Sequence, residues 1–199
     1  MKGVCSLILL MVLCLFVPHP LPAAAEEPRG LGFWIEAQAP SRGPIRIIGS
    51  YEKALVGPLG ISVTAVQESN GYREFYAGPT MQPLEWFKVG VGVGREHVPE
   101  IDGEESLNST RYNAFFSITH KKIAAYGSFE NGSGGPWHEL RAVYNPTEKI
   151  GVGIMDEKNR GFGPRLELNL GKGVQLWGAV LRDNEADETT SVLAINYSF

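Results

Sequence analysis

The sequence predicts an all-β chain, a closed antiparallel transmembrane β-barrel of about 12 strands with its apolar side chains turned outward. Three observations predict it. Past residue 25 the chain holds no apolar run of the roughly 20 residues that a membrane-crossing helix needs, yet it is a succession of segments in which apolar and polar residues alternate. Those segments are punctuated by Gly, Pro, Asn, Asp and Lys, and 24 Gly and 13 Pro occur among 199 residues, so short strands joined by turns fit better than helices. Aromatic residues fall at the segment ends on the apolar face, where a headgroup interface would favour them and a closed soluble core would not.

Met1 to Ala25 stands apart. Lys2 precedes an apolar run from Val4 to Val17, then Pro18 and Pro20, then Ala23, Ala24 and Ala25, which is the pattern of a secretory signal peptide cut after Ala25. The run is too short for a bilayer-spanning anchor. Cys5 and Cys14 both lie in it, so residues 26–199 carry no cysteine and can form neither a disulfide nor a thiolate metal site. Leu13 before Cys14 is too bulky for a lipoprotein cleavage site. Removing Lys2 leaves 17 basic residues against 22 acidic ones, a net charge of −5, with no basic stripe of the kind that binds nucleic acid.

Residues 26–199 form the barrel. Expected strands run from Leu31 to Ala39, Ile45 to Leu55, Ile61 to Ser69, Tyr72 to Gln82, Phe87 to Val98 and Arg111 to His120. The second half continues with Ile123 to Glu130, Trp137 to Asn145, Ile150 to Lys158, Phe162 to Leu170, Val174 to Asp183 and Thr189 to Phe199. Tight turns at Val56 to Gly60, Pro83 to Trp86, Lys121 and Lys122, Pro146 to Lys149 and Gly171 to Gly173 share one end of the barrel. The longest connections, Pro99 to Thr110 and Asn184 to Glu188, share the other.

Face by face, Phe33, Ile35 and Ala37, Phe87, Val89, Val91 and Val93, and Leu166, Leu168 and Leu170 point outward to lipid. Glu36 and Gln38, Arg46 and Glu52, Arg111 and Asn113, Glu139 and Arg141, and Arg165 and Glu167 point inward. Phe33, Tyr51, Phe87, Tyr144, Tyr197 and Phe199 form one aromatic girdle, and Phe75, Tyr112, Phe129 and Phe162 the other. The segment from Val174 to Asp183 is apolar on both faces, with Val174, Leu176 and Val180 on one and Trp177, Ala179 and Leu181 on the other, so its orientation is open. His138 and Arg95 fall on the lipid face near the rim, where a charge costs roughly 0–1 kcal/mol.

The last strand alternates Leu193, Ile195, Tyr197 and Phe199 against Ala194, Asn196 and Ser198 and stops at an aromatic residue. With the leader and the alternating strands, it resembles the Gram-negative outer-membrane β-barrels, and among them the small porin-like proteins. Small sugar-acid channels of similar strand count also end in the Tyr-Ser-Phe seen here at residues 197–199. The resemblance implies a place in the cell outer membrane, contact with outer-membrane lipid, and recognition of Phe199, Tyr197 and Ile195 by the barrel assembly machinery.

Chemistry is expected in the lumen. Glu139 and Arg141 stand one strand away from Arg165 and Glu167, across inward Gly151 and Gly153, while Glu74 and Arg111 flank inward Gly90, Gly92 and Gly94. These six charges read as a filler of ion pairs or as a constriction that selects anionic or zwitterionic solutes. The expected function is a narrow porin-like channel for small polar solutes; the alternatives are a plugged structural barrel and an outer-membrane lipid-modifying enzyme. No enzyme is favoured: His97, His120 and His138 are the only histidines past residue 25, all are expected to face outward, and none stands in a serine–histidine spacing. No metal or cofactor is expected, because no two histidines share a local face and Gly90 to Gly94 lacks the spacing of a dinucleotide loop. Asn108, Asn131 and Asn196 head sequons read as chance matches.

Overall fold

A strand with one apolar and one charged face is satisfied on both sides only where lipid covers the first and water or ion pairs cover the second. The computed structural model, which describes residues 31–100 and 105–199, meets that demand with twelve antiparallel strands. They are β1 (Leu31–Pro40), β2 (Arg46–Val56), β3 (Leu59–Glu68), β4 (Arg73–Leu84), β5 (Phe87–Val98), β6 (Leu107–His120), β7 (Ile123–Gly132), β8 (Gly135–Tyr144), β9 (Ile150–Glu157), β10 (Gly161–Gly171), β11 (Val174–Asp183) and β12 (Glu188–Ser198). Each pairs with its neighbour in sequence and β1 pairs with β12, so the sheet closes and no strand edge is left unpaired in the hydrocarbon layer. The expected signal peptide lies outside the described residues.

All twelve expected strands are present, and their ends carry the corrections. β6 begins at Leu107, inside what the sequence reads as a loop, because Leu107 to Thr110 continue the ladder opposite Val98 to Arg95. β3 likewise begins at Leu59, leaving Gly57 and Pro58 as the turn, and β8 opens at Gly135. Backbone hydrogen bonds carry these ladders beyond the point where side-chain alternation fades. At the β10–β11 turn the geometry demands glycine. Gly173 has φ +78°, and a side chain there would strike the backbone of Ser198, whose N–H donates to the Gly173 carbonyl at 2.9 Å.

The outer surface is apolar. Val91, Val93, Ile154, Leu166, Leu193 and Ile195 are all exposed, and the girdle residues Tyr51, Tyr144 and Phe199 at one end and Phe75, Tyr112, Phe129 and Phe162 at the other are exposed with them. Such a surface is stable against lipid and not against water. His138 lies on this face as expected, and its Nε2 sits 3.0 Å from Oδ2 of Asp156, also outward, on β9.

The interior settles β11. Trp177, Ala179 and Leu181 point inward and pack with Met155 of β9 and Val192 and Ala194 of β12 in a buried apolar cluster, while Val180 faces out. One wall of the lumen is therefore filled by hydrocarbon. The opposite wall is charged.

Candidate functional site

Inward parity puts a glutamate on ten of the twelve strands: Glu36, Glu52, Glu68, Glu74, Glu96, Glu130, Glu139, Glu157, Glu167 and Glu188. Seven cations answer them, Arg46, Lys88, Arg111, Arg141, Arg165 and, from outside the strands, Arg42 and Arg160. Buried carboxylates persist only when paired and hydrogen-bonded, and the pairing divides the lumen into three groups and two separate pairs, Glu52–Lys88 and Arg42–Glu188.

At the loop end Arg111 is held between three carboxylates: its Nε lies 2.7 Å from Glu74 and 2.9 Å from Glu130, and its Nη1 2.8 Å from Glu96. Glu96 is buried, and its other oxygen accepts from the Ser109 hydroxyl at 2.6 Å and from the Ser133 N–H at 2.6 Å and hydroxyl at 2.9 Å. Tyr72 and Tyr76 donate to Glu74 and Glu130 at 2.6 and 3.2 Å. The second group crosses the lumen. Arg46 on β2 reaches Glu68 at 2.9 Å and Glu157 on β9 at 3.0 Å, and Arg160 joins Glu157 at 2.8 Å and Gln38 at 3.1 Å.

The third group contains the four charges that the spacing of β8 and β10 singled out, and it is not one cluster. Arg141 pairs with Glu139 at 3.1 Å, and Arg165 pairs with Glu167 at 2.7 Å, each along its own strand. The glycines between them do not serve as a meeting place. The space beside Gly151 is taken by Val143 and Asn145, and Gly153 lies against the backbone of Ala142. Arg165 instead stacks on the Trp177 ring at 3.7 Å, sealed in the wall with its side chain 1% exposed, whereas Arg141 lies over Tyr126 at 4.6 Å with its side chain 29% exposed. The same filling holds on β5, where the Phe115 ring covers Gly90 and Tyr76 lies beside Gly92.

Two cavities stand open among the described residues. The one at the loop end has a volume of about 520 Å³ and is walled by Glu36, Arg46, Glu74, Tyr76, Arg111, Asn113, Tyr126, Glu139 and Arg141, with no residue of β10 or β11. Arg165 and Glu167 are therefore outside it, and Glu74, Arg111, Glu139 and Arg141 line it. The second, of about 620 Å³, opens among the turn-end residues Gly57 to Gly60, Gln82 to Glu85 and Lys88. Glu52 is the one residue in the wall of both, and it is ion-paired to Lys88 on β5, reaching over β3 and β4. Lys88, Glu96, Glu130, Glu157 and Arg160 were missed as site residues. Parity could have found four: Lys88 and Glu96 extend the inward row of Gly90 to Gly94, Glu157 extends that of Gly151 and Gly153, and Glu130 follows Ser128. Arg160 sits in a turn, where no parity applies.

The three histidines have different surroundings. His97 faces Asn108 at 3.0 Å, His120 packs edge-on to Trp86 with ring centroids 5.8 Å apart, and His138 meets Asp156. Among the described residues no serine or threonine hydroxyl is hydrogen-bonded to any of them.

The sequence matches no protein-family model, and no curated protein is similar to it. Solved structures are similar in shape. The KdgM porin, determined in complex with disordered oligogalacturonate, superposes with a TM-score of 0.53 at 9% identity, covering 84% of this chain and 99% of that one. The Salmonella typhi outer membrane phospholipase, determined as a dimer with bound calcium, gives a TM-score of 0.50 at 11% identity over 85% of this chain and 90% of that one. At such identities the likeness is one of fold: a closed transmembrane β-barrel.

Proposed function

We propose that this chain is an outer-membrane channel of narrow bore that passes small polar solutes, small cations ahead of anions. One observation carries the reading: two cavities enter the lumen from opposite ends and share Glu52 as a common wall residue. The barrel sits with its short turns toward the periplasm and its longer loops outside, as its resemblance to porin-like barrels implies. Cations are favoured because ten inward glutamates exceed the seven cations that face them, and a carboxylate excess in a low-dielectric pore concentrates positive counter-ions. This replaces the preference for anionic or zwitterionic solutes expected from sequence, which counted only Glu74, Arg111, Glu139, Arg141, Arg165 and Glu167, three acids against three arginines. A polyanion of the kind bound by the KdgM porin is a poor match for such a lumen.

The test is a planar-bilayer recording on barrels refolded to the heat-modifiable form, with a potassium chloride gradient across the membrane. Discrete conductance steps and a reversal potential on the cation side are expected. Folded barrels that never conduct would discard the channel. That outcome would favour a closed structural barrel, a reading supported by the Arg46–Glu157 bridge across the lumen and by the apolar cluster around Trp177.

A further inference from the structure

The geometry points to Glu52 and Lys88 as the neck of the lumen, the place where the size and charge of a passing solute are decided; this rests on the channel reading above. The pair is distinguished from every other ion pair in the barrel by its position. The Arg111 and Arg46 groups lie at the loop end, within the wall of a cavity that extends past them to loop residues such as Arg42 and Asn70, so they narrow that cavity without ending it. The cavity stops at Glu52. Beyond it a second cavity begins, and Lys88 belongs to that one alone.

Local chemistry suits a constriction that can open. The Glu52–Lys88 bridge spans from β2 to β5 over strands whose inward residues here are small, Gly60, Ser62 and Thr80, so the two long side chains occupy space that nothing bulky supports from beneath. Both side chains are 29% exposed, in contrast with the 6% or less of Arg111 and Glu96 at the loop end. A pair wetted from both sides is weakly held and is screened by salt, whereas a sealed pair is not. Lysine adds to this, since its flexible stem swings a point charge where arginine would make a rigid fork. Swinging Lys88 away from Glu52 joins the two cavities and leaves a carboxylate at the narrowest point, which is also the point where one fixed charge governs selectivity most strongly.

The experiment compares wild type with Lys88→Met, Glu52→Gln and the exchanged double variant Lys88→Glu, Glu52→Lys, each refolded and checked for heat-modifiable mobility before recording. Either single substitution should raise the mean conductance severalfold. Lys88→Met should shift the reversal potential further to the cation side and Glu52→Gln should shift it back, while the exchanged pair should return conductance toward the wild-type level. Wild-type conductance that both single variants leave unchanged would overturn the neck assignment while keeping the channel. No conductance from any folded variant would instead sink the channel reading itself, and the neck with it. Conductance that rises in the single variants but stays high in the exchanged double would show that bulk rather than pairing closes the lumen, and would overturn the ion-pair neck.

Discussion

Arg141 and Arg165 look equivalent by residue type and parity, and the structure separates them. Arg165 is sealed between Trp177, Met155 and Glu167, its Nη1 3.4 Å from the Met155 sulfur, so Arg165→Ala leaves Glu167 with only the Gln175 amide at 3.1 Å and empties the space over an indole. Breaking a buried pair in this way costs about 3–5 kcal/mol. Arg141 already reaches the cavity, so Arg141→Ala should cost well under half as much, its loss limited to a partly wetted pair and a contact with Tyr126. Thermal unfolding of the two variants in detergent, followed by the heat-modifiable band, checks the order. Equal losses would mean that Arg165 is no more sealed than Arg141.

The strand is the scale at which lipid and lumen are told apart. On β10, Leu168 faces lipid between inward Glu167 and Asn169, and on β5, Val91 faces lipid between Gly90 and Gly92. An arginine at either apolar position should destabilise by about 2–4 kcal/mol, the cost of a charge near the bilayer midplane. The inward glycines grade differently. A methyl at Gly92 meets the Tyr76 ring at 3.3 Å, which can give way, and the Ala77 backbone at an ordinary 3.5 Å, whereas at Gly94 it meets the backbone of Phe75 far too closely. Gly92→Ala should therefore assemble like wild type and Gly94→Ala should not. Yields of folded barrel from a common refolding protocol make the comparison, and a tolerated Gly94→Ala would mean that β4 and β5 lie farther apart than described.

At the scale of the whole molecule, closure is the decisive event, because until β1 meets β12 both carry unpaired backbone groups that lipid cannot satisfy. The seam ends at Phe199. Its N–H donates to Phe33 at 2.9 Å, and its ring packs against Phe33 at 5.1 Å and Tyr197 at 4.4 Å between centroids. Deleting Phe199 removes the last backbone bond of the seam and the middle ring of a three-ring stack. Export should continue while membrane insertion falls sharply, read as a loss of the heat-modifiable species from the outer-membrane fraction. Full insertion without Phe199 would show that the seam closes from its other end.

Strand number, the sense of almost every face and the girdles were legible in the chain alone, because period-two alternation and turn residues are local and each strand states its own two environments. Glu36, Arg111 and Glu139 could be placed inside the barrel from their neighbours alone. Which inward charges meet could not be read that way. Arg46 on β2 finds Glu157 on β9, and Glu52 on β2 finds Lys88 on β5, only because closure bends the sheet until distant strands face each other across the lumen. β11 shows the same limit: with apolar residues on both faces its pattern is silent, and Trp177 turns inward because Met155, Val192 and the Arg165 guanidinium offer it a packed site there. Alternation fixes a side chain's face, and only the closed barrel fixes its partner.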